Sequence, residues 1–227
     1  MATLTSPDGT HHFTTRDQPA GERPDLVVAE SFLENVYRIH PKNFQDTGIL
    51  IDIGANIGVV TVHALTLGAK HVLAVEPEPH NLQYLDTNLT GNNVHNQVTV
   101  VAAAVSDTPG TGWITDEYTH SSLVRRTSGT TKTRVFSLKT LYDDNNITAC
   151  DVLKIDVEGG EYAIIAGADQ ETLTRAAYIT LEFDAADDAT FGAMVTKLAK
   201  DFHIEILGSP ERGGYIYAHR YPKCTWA

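Results

Sequence analysis

A short segment of the chain, Asp-Ile-Gly-Ala-Asn-Ile-Gly, places an acid, an amide and two glycines directly after an apolar run. The residues that could take part in binding or catalysis are Asp52, Gly54, Asn56 and Gly58. Glycines after a buried strand allow a tight turn into a helix, and such turns bind nucleotide cofactors at the carboxyl edge of parallel sheets. The segment therefore predicts a cofactor loop, and its side chains indicate which cofactor it holds.

The loop departs from the motifs that bind phosphate groups. A dinucleotide fingerprint needs glycines at 54, 56 and 59, whereas the chain has Asn56 and Val59 at the last two of these positions. The Lys-Ser/Thr ending of a Walker loop is also missing. A carboxylate aimed into the crevice repels phosphate and favours a cation. Asp52 therefore suits S-adenosylmethionine, which carries a sulfonium and an ammonium but no phosphate.

Two further strand ends offer partners for an adenosine group. Glu76 ends the next apolar run, at the distance from the loop where nucleotide-binding units place an acid for ribose hydroxyls. Ser106 or Asp107 ends the third run and is expected to meet the adenine amino group. Asp107 precedes Pro and Gly, so ordinary turn chemistry is the alternative for that residue.

A second acidic segment, Lys-Ile-Asp-Val-Glu-Gly-Gly-Glu, ends a later apolar run. Asp156 is predicted beside the acceptor as a base, a positioning group or a metal ligand. Glu158 lies at the same edge, and with Glu182 these carboxylates could form an oxygen-rich Mg²⁺ site, although purely structural roles stay open. His120 is the other candidate base, since imidazole titrates near neutral pH, and an exposed loop histidine is the alternative.

Apolar runs and helical patterns alternate along the chain and must position these residues. The predicted strands cover 48–53, 71–76, 97–105, 151–157, 176–183, 203–208 and 213–221. Helical spacing lies between them, at 25–39, 57–68, 79–91 and 160–168, and in the series Phe191, Met194, Leu198 and Phe202. Repeated strand–helix units require parallel strands with right-handed crossovers. We therefore predict an α/β fold with a doubly wound, mostly parallel sheet and an antiparallel edge strand.

Residues 108–137 interrupt this alternation and predict an inserted β-hairpin, which is a candidate lid over the acceptor. Arg125, Arg126 and Arg134 of this hairpin could clamp an anionic acceptor, but a solvated surface is the favoured interpretation. Residues 1–25 are predicted to form a flexible lead-in, and residues 26–227 a single domain.

Composition narrows the class of partner. The formal net charge of −12 argues against nucleic acid, because binding to a phosphate backbone needs an excess of Lys and Arg. The two cysteines have no zinc-binding spacing, and no signal peptide or membrane-spanning run is visible. These features predict a cytoplasmic protein that acts on a small molecule. The oligomeric state is not indicated.

Several segments together resemble the FkbM-type methyltransferases. They are "LIDIGANIGVVTVHAL", "AVEPEPHNLQYLDTNL", "AAVSD", "LKTL", "DVLKIDVEGGEYAIIAGA" and "YITLEFD". The resemblance implies a Rossmann-like class I methyltransferase fold with a seven-stranded sheet, S-adenosylmethionine as methyl donor, and methylation of a hydroxyl on a natural product, sugar or glycolipid. It also implies cofactor positions at Asp52, Gly54, Asn56, Gly58, Glu76 and Asp107, and an acidic motif at Asp156 and Glu158.

Three other functions stay open on the sequence alone. They are a non-catalytic cofactor-binding protein of the same fold, a nucleic-acid methyltransferase and an NAD-dependent oxidoreductase. Asn56 and the missing Tyr-x-x-x-Lys pattern oppose the oxidoreductase. The missing Asn/Asp-Pro-Pro-Tyr segment opposes amino methylation of nucleic acid.

Overall fold

The computed structural model describes residues 1–16, 24–115, 123–124 and 130–221. The strands are β1 (Ala2–Thr5), β2 (His12–Thr15), β3 (Ile49–Ile53), β4 (His71–Val75), β5 (Val98–Val101), β6 (Ala104–Ser106), β7 (Gly110–Thr115), β8 (Leu123–Val124), β9 (Thr130–Ser137), β10 (Cys150–Ile155), β11 (Ala176–Phe183), β12 (Phe202–Ser209) and β13 (Gly213–Arg220). The α-helices are α1 (Pro24–Ala29), α2 (Val59–Thr66), α3 (Pro79–Gly91), α4 (Leu138–Asp144), α5 (Glu161–Gly167), α6 (Gln170–Leu173) and α7 (Asp188–Leu198). A π-helical turn at Glu30–Glu34 follows α1, and 3₁₀ turns lie at Pro41–Asn43 and His95–Gln97.

The central sheet has seven strands in the order β12-β13-β11-β10-β3-β4-β5. The pairs from β11 to β5 are parallel, and β13 runs antiparallel to both of its neighbours. The chain starts the sheet at β3, adds β4 and β5 on one side, and later adds β10 on the other. This reversal of strand order opens a crevice beyond the carboxyl ends of β3 and β10, where ligands bind in such sheets. The predicted fold class is confirmed, with the reversed strand β13 placed second from the edge.

Both faces of the central strands are covered, which explains their continuous apolar sequences. Successive side chains of a strand point to opposite faces, so neighbouring residues enter different cores. One core contains Ile51, Leu73 and Leu153, together with residues of α5 and α7. The other contains Leu50, Val72 and Val152, together with residues of α2 and α3.

The structure differs from the sequence prediction at three elements. The predicted helix 25–39 is shorter, because α1 and the π-helical turn end before Asn35, which adopts a left-handed φ of +48°. The third predicted strand, 97–105, is broken after Val101, and a backbone hydrogen bond from Ala103 to Val101 turns the chain into β6 of another sheet. The helical series ends at Leu198, and Phe202 instead begins β12 with its side chain fully buried. Phe202 fits the helical spacing in the sequence, but it packs into the core as part of a strand.

The inserted hairpin is present, and β7 pairs antiparallel with β9 from Gly110↔Val135 to Thr115↔Thr130. Strands β6 and β8 extend it to a four-stranded sheet in the order β6-β9-β7-β8.

The predicted lead-in contains secondary structure that its sequence did not indicate. β1 and β2 form an antiparallel pair, and Phe13 in β2 is fully buried. Helix α3 holds β2, because the backbone amide of Thr14 donates to Asn88 (2.6 Å) and the Asn92 side chain donates to the His12 carbonyl (2.8 Å). The domain boundary at residue 25 stays a prediction. Within the described residues, no helix combines the length and apolarity needed to cross a bilayer.

Candidate active site

A cavity of about 510 Å³ opens at the crevice where the strand order reverses. Its walls come from the β3–α2 loop, the ends of β4, β6, β10 and β11, and the segment of α1 with its π-helical turn. The volume falls in the range of pockets that enclose small organic ligands. The site is therefore assembled from segments far apart in the sequence.

The two glycines of the loop are required for close packing. Gly54 has a φ of +78°, and a Cβ there would lie 1.7 Å from the carbonyl oxygen of Asp156. Gly58 has a φ of +89°, and a Cβ there would lie 2.6 Å from Leu85. Gly54 lines the cavity, whereas Gly58 precedes α2, packs against Leu85 of α3 and is not among the lining residues. Gly54 thus brings the loop against the segment that carries Asp156.

Glu76 lies at the end of β4, is buried, and lines the cavity as the sequence predicted. Its Oε2 accepts the backbone N–H of Asn56 (2.8 Å), and its Oε1 accepts that of Glu78 (2.9 Å). Burial raises the pKa of Glu76 to about 7, while these hydrogen bonds act in the opposite direction. Asn56 also lines the cavity. Its backbone N–H is already hydrogen-bonded to Glu76, so it is not free to bind a phosphate group.

Asp52 does not face the crevice as we expected. Its side chain is fully buried, and it is the register partner of Lys154 on the neighbouring strand. The Lys154 Nζ lies 3.1 Å from Asp52 Oδ1, and the Thr61 hydroxyl donates to Oδ2 (2.7 Å). Burial acts to lower the pKa of Lys154, but the charges of Asp52 and Asp156 outweigh it and raise that pKa. Asp52 therefore does not line the cavity, but it neutralises the buried cation of Lys154, which does.

Asp156 follows β10 and reaches the cavity wall. The Tyr37 hydroxyl donates to its Oδ2 at 2.6 Å, and the Lys154 Nζ lies 3.6 Å from the same oxygen. Lys154 also donates to the Gly54 carbonyl at 2.7 Å. Both the neutral Tyr37 hydroxyl and the charged Lys154 amine contact Oδ2, which leaves Oδ1 as the oxygen for a further proton donor.

Other carboxylates surround Asp156. Glu182 at the end of β11, Glu158 in the β10–α5 loop and Glu30 in the π-helical turn all line the cavity. Burial raises the pKa of Glu182 to about 8, helped by the charges of Asp156, Glu158 and Glu30 and opposed by a hydrogen bond from Tyr215. The pKa of Glu30 is also raised, by burial and by the charges of Glu34 and Asp156. Glu182 is therefore protonated more readily than an ordinary glutamate.

The remaining predicted residues divide into three groups. Ser106 lines the cavity, whereas Asp107 is exposed and is not among its lining residues. His120 lies outside the described residues, as do Arg125 and Arg126. Arg134 pairs with Asp144 (2.9 Å) on the surface of the hairpin.

The predicted Mg²⁺ site is not supported. Among the residues that the structure describes, no group of three or more His, Cys, Asp and Glu side chains is placed to hold a metal ion. Asp156, Glu158 and Glu182 share the cavity wall without forming such a cluster.

The sequence matches the methyltransferase FkbM domain over residues 52–217. The chain belongs to the FkbM methyltransferase family. A methyltransferase of Sordaria araneosa, sdnD, is 25% identical over 181 residues, which are 64% of this chain and 69% of that protein.

Solved structures agree with this FkbM methyltransferase in fold. The precorrin-6y C5,15-methyltransferase of Geobacter metallireducens GS-15 matches with a TM-score of 0.51 and 18% identity, covering 92% of this chain and 94% of that one. The ribosomal protein L11 methylase of Lactobacillus delbrueckii subsp. bulgaricus matches with a TM-score of 0.50 and 15% identity, covering 83% and 78%. The chain has the Rossmann-like methyltransferase fold. The names of the two solved structures refer to different methyl acceptors, a precorrin and a ribosomal protein.

Three residues of this FkbM methyltransferase were missed in the sequence. Lys154 carries a signal, because it lies inside the run 151–157 that predicts a buried strand, and lysine is rarely buried without a partner. Tyr37 and Glu30 carry none, since they precede the matched domain and lie in a segment that predicts only a covering helix.

Proposed function

We propose that this FkbM methyltransferase transfers a methyl group from S-adenosylmethionine to a hydroxyl group of a small molecule. The observation that carries the proposal is the carboxylate of Asp156 at the cavity wall, fixed by Tyr37 at 2.6 Å and Lys154 at 3.6 Å. A fixed, ionisable acceptor of protons beside a ligand cavity is the arrangement that general-base catalysis needs.

The residues present fit the methyl donor. Glu76 is buried in the wall and accepts two backbone amides and, at 3.4 Å, the Asn81 side chain. A carboxylate has about four lone-pair positions, so Glu76 can still accept a ligand hydroxyl. Ser106 and Asn56 line the same cavity and would hold the adenosine end with Glu76. The donor supplies an electrophilic methyl group on a sulfonium. Its lack of phosphate agrees with a loop whose Asn56 amide is already bound.

Asp156 would serve the acceptor. As the acceptor oxygen bonds to the methyl carbon and the carbon–sulfur bond breaks, the hydroxyl proton would pass to the Asp156 carboxylate. Holding the two reactants in line contributes most, since effective molarities reach roughly 10⁵ to 10⁸ M. A positioned base adds roughly 10² to 10⁴ in rate.

The charge of the cavity supports an acceptor without phosphate groups. Glu30, Asp156, Glu158 and Glu182 line one part of the wall. Lys154 is the single cationic side chain among the described lining residues, and it is paired with Asp52 and Asp156. Negative potential in a cleft repels anions, so neutral or cationic hydroxyl compounds fit better than nucleic acid.

The test is an acceptor screen with S-adenosylmethionine, read as S-adenosylhomocysteine formed and as O-methyl product by mass spectrometry and NMR. We expect Asp156→Asn to lower turnover by roughly 10² to 10⁴ while S-adenosylhomocysteine binding is kept. The matched control is Asp184→Asn, which changes an exposed carboxylate just beyond β11. Unchanged turnover in Asp156→Asn, or methylation only of nucleic acid, would contradict the proposal.

A further inference from the structure

We infer that Tyr37 is a positioning residue for the proposed reaction, and that it acts by holding Asp156 in the orientation of the base. The inference rests on the proposed function. Tyr37 lies before residue 52, where the domain match begins, so its part in the site follows from the structure alone.

The contact between the two side chains is direct and shielded. Tyr37 is 7% exposed, and its hydroxyl donates to Asp156 Oδ2 at 2.6 Å. A hydrogen bond to a charged group is among the stronger ones in proteins, and shielding from water strengthens it further. Burial and the charges of Asp156 and Glu182 raise the pKa of Tyr37 well above its ordinary value. The hydroxyl therefore remains a donor and does not compete for the proton of the acceptor.

Two other tyrosines fix the segment that carries Tyr37. The Tyr178 hydroxyl, on β11, donates to the Tyr37 carbonyl at 3.0 Å. The Tyr217 hydroxyl, on β13, donates to the Val36 carbonyl at 2.7 Å. The ring of Tyr37 meets that of Tyr215 edge to face, with centroids 5.9 Å apart. The Tyr37 hydroxyl is thus anchored to the central sheet and not carried on a free loop.

The turn before Tyr37 is also held in a defined shape. Asn35 adopts a φ of +48° and ends the π-helical turn. Its side chain donates to the Ile39 carbonyl (2.8 Å) and accepts the Ile39 amide (3.0 Å). These contacts bracket Tyr37 from both sides along the chain. Rigid support of this kind is what keeps a catalytic group within its productive geometry.

Lys154 provides a second contact to the same oxygen of Asp156. Its Nζ lies 3.6 Å from Asp156 Oδ2 and 5.3 Å from the centre of the Tyr37 ring. One oxygen of Asp156 is thereby held by a neutral donor and a cation. If Tyr37 were absent, the carboxylate would keep its charge partner but lose the directional contact that fixes its rotation. Loss of Tyr37 should therefore affect turnover more than binding.

The first experiment is a double-mutant cycle on the full chain, measured by urea unfolding. The variants are Tyr37→Phe, Asp156→Ala and their combination. We expect Tyr37→Phe to reduce the folding equilibrium constant at least about tenfold more with Asp156 present than in the Asp156→Ala background. The control is Tyr142→Phe, which removes a buried hydroxyl beside Cys150 at the opposite end of β10, and its effect should be equal in both backgrounds. Equal effects of Tyr37→Phe in the two backgrounds would overturn the inference.

The second experiment uses the first hydroxyl acceptor that the screen identifies. Tyr37→Phe should lower kcat at least about tenfold, as expected for loss of a hydrogen bond to a charged group. The KM of the acceptor and the affinity for S-adenosylhomocysteine should change little, and Tyr142→Phe should keep kcat. An unchanged kcat in Tyr37→Phe would overturn the role of Tyr37 and leave the proposed function intact. Absence of turnover in the unaltered chain would overturn both, whatever the unfolding cycle shows.

Discussion

The Nζ of Lys154 lies 3.1 Å from the carboxylate of Asp52, and neither side chain is exposed by more than 2%. The two residues are partners across the parallel strands β10 and β3, directly beneath Gly54 and Asp156. A buried charge pair is costly to break, because the remaining charge has no solvent to stabilise it. The pair therefore links the stability of the sheet to the geometry of the site.

Lys154→Met should destabilise the chain by about 3–5 kcal/mol, since it leaves Asp52 buried and unpaired. Combining it with Asp52→Asn should recover part of this loss, because the amide still accepts the Thr61 hydroxyl. Urea unfolding measures both effects. The control is Lys139→Met, which breaks an exposed pair with Asp143 and should cost about 0–1 kcal/mol. Similar losses for the two lysines would contradict the account of the buried pair.

Gly54→Ala should destabilise the chain more than Gly9→Ala. The two glycines have similar φ values, +78° and +74°, so the backbone strain of an alanine is matched. A Cβ at 54 would lie 1.7 Å from the Asp156 carbonyl oxygen, whereas a Cβ at 9 meets nothing within 4 Å. We expect about 1 kcal/mol for Gly9→Ala and several for Gly54→Ala in urea unfolding. Equal losses of stability in the two variants would contradict the close packing of Gly54 against the Asp156 carbonyl.

The buried glutamates Glu76 and Glu182 should lower stability as the pH rises from about 5 to 8, against the opposite contribution of His63, whose pKa burial lowers to about 4. Burial raises the pKa of Glu76 to about 7 and that of Glu182 to about 8, both above the values near 4.5 of exposed glutamates. The folded state then holds more protons than the unfolded state in this window, so its extra stability is complete below pH 4.5 and lost as pH passes through these values. For fully buried Glu76 the change is up to about 3 kcal/mol.

Urea unfolding at several pH values measures this slope. Glu76→Gln should flatten it, because the variant has no titrating group at that position. Glu171→Gln, an exposed change, should retain the slope of the unaltered chain. The same slope in Glu76→Gln and in the unaltered chain would contradict the raised pKa of Glu76.

The sequence predicted the elements that carry a local periodic signal. β3, β4 and β10 are apolar on both faces, and α3 spans the predicted residues 79–91. The sequence prediction was wrong where an apolar residue fits both a helix and a strand, as at Phe202, which belongs to β12. The place of β13 inside the sheet depends on pairing between distant strands, which no local pattern contains.

The site was predictable in part for the same reason. Glu76, Ser106 and Asp156 lie at or just after the carboxyl ends of strands. Ligands bind at this edge of parallel sheets, so the sequence predicted that these residues line the crevice. Asp52 also ends a strand, but its direction depends on the register that sets Lys154 beside it. Tyr37 reaches Asp156 from 119 positions away, so only the three-dimensional structure brings the two together.

The most direct test of the methyl-donor cavity is calorimetric titration with S-adenosylhomocysteine, run beside NAD. S-adenosylhomocysteine should bind the unaltered chain and Glu171→Gln alike, and NAD should not bind. Glu76→Gln should weaken binding by roughly 10-fold or more, since a ligand hydroxyl loses a charged acceptor. Binding of NAD, or S-adenosylhomocysteine affinity that is absent or indifferent to Glu76→Gln, would contradict the assignment of the cavity to a methyl donor.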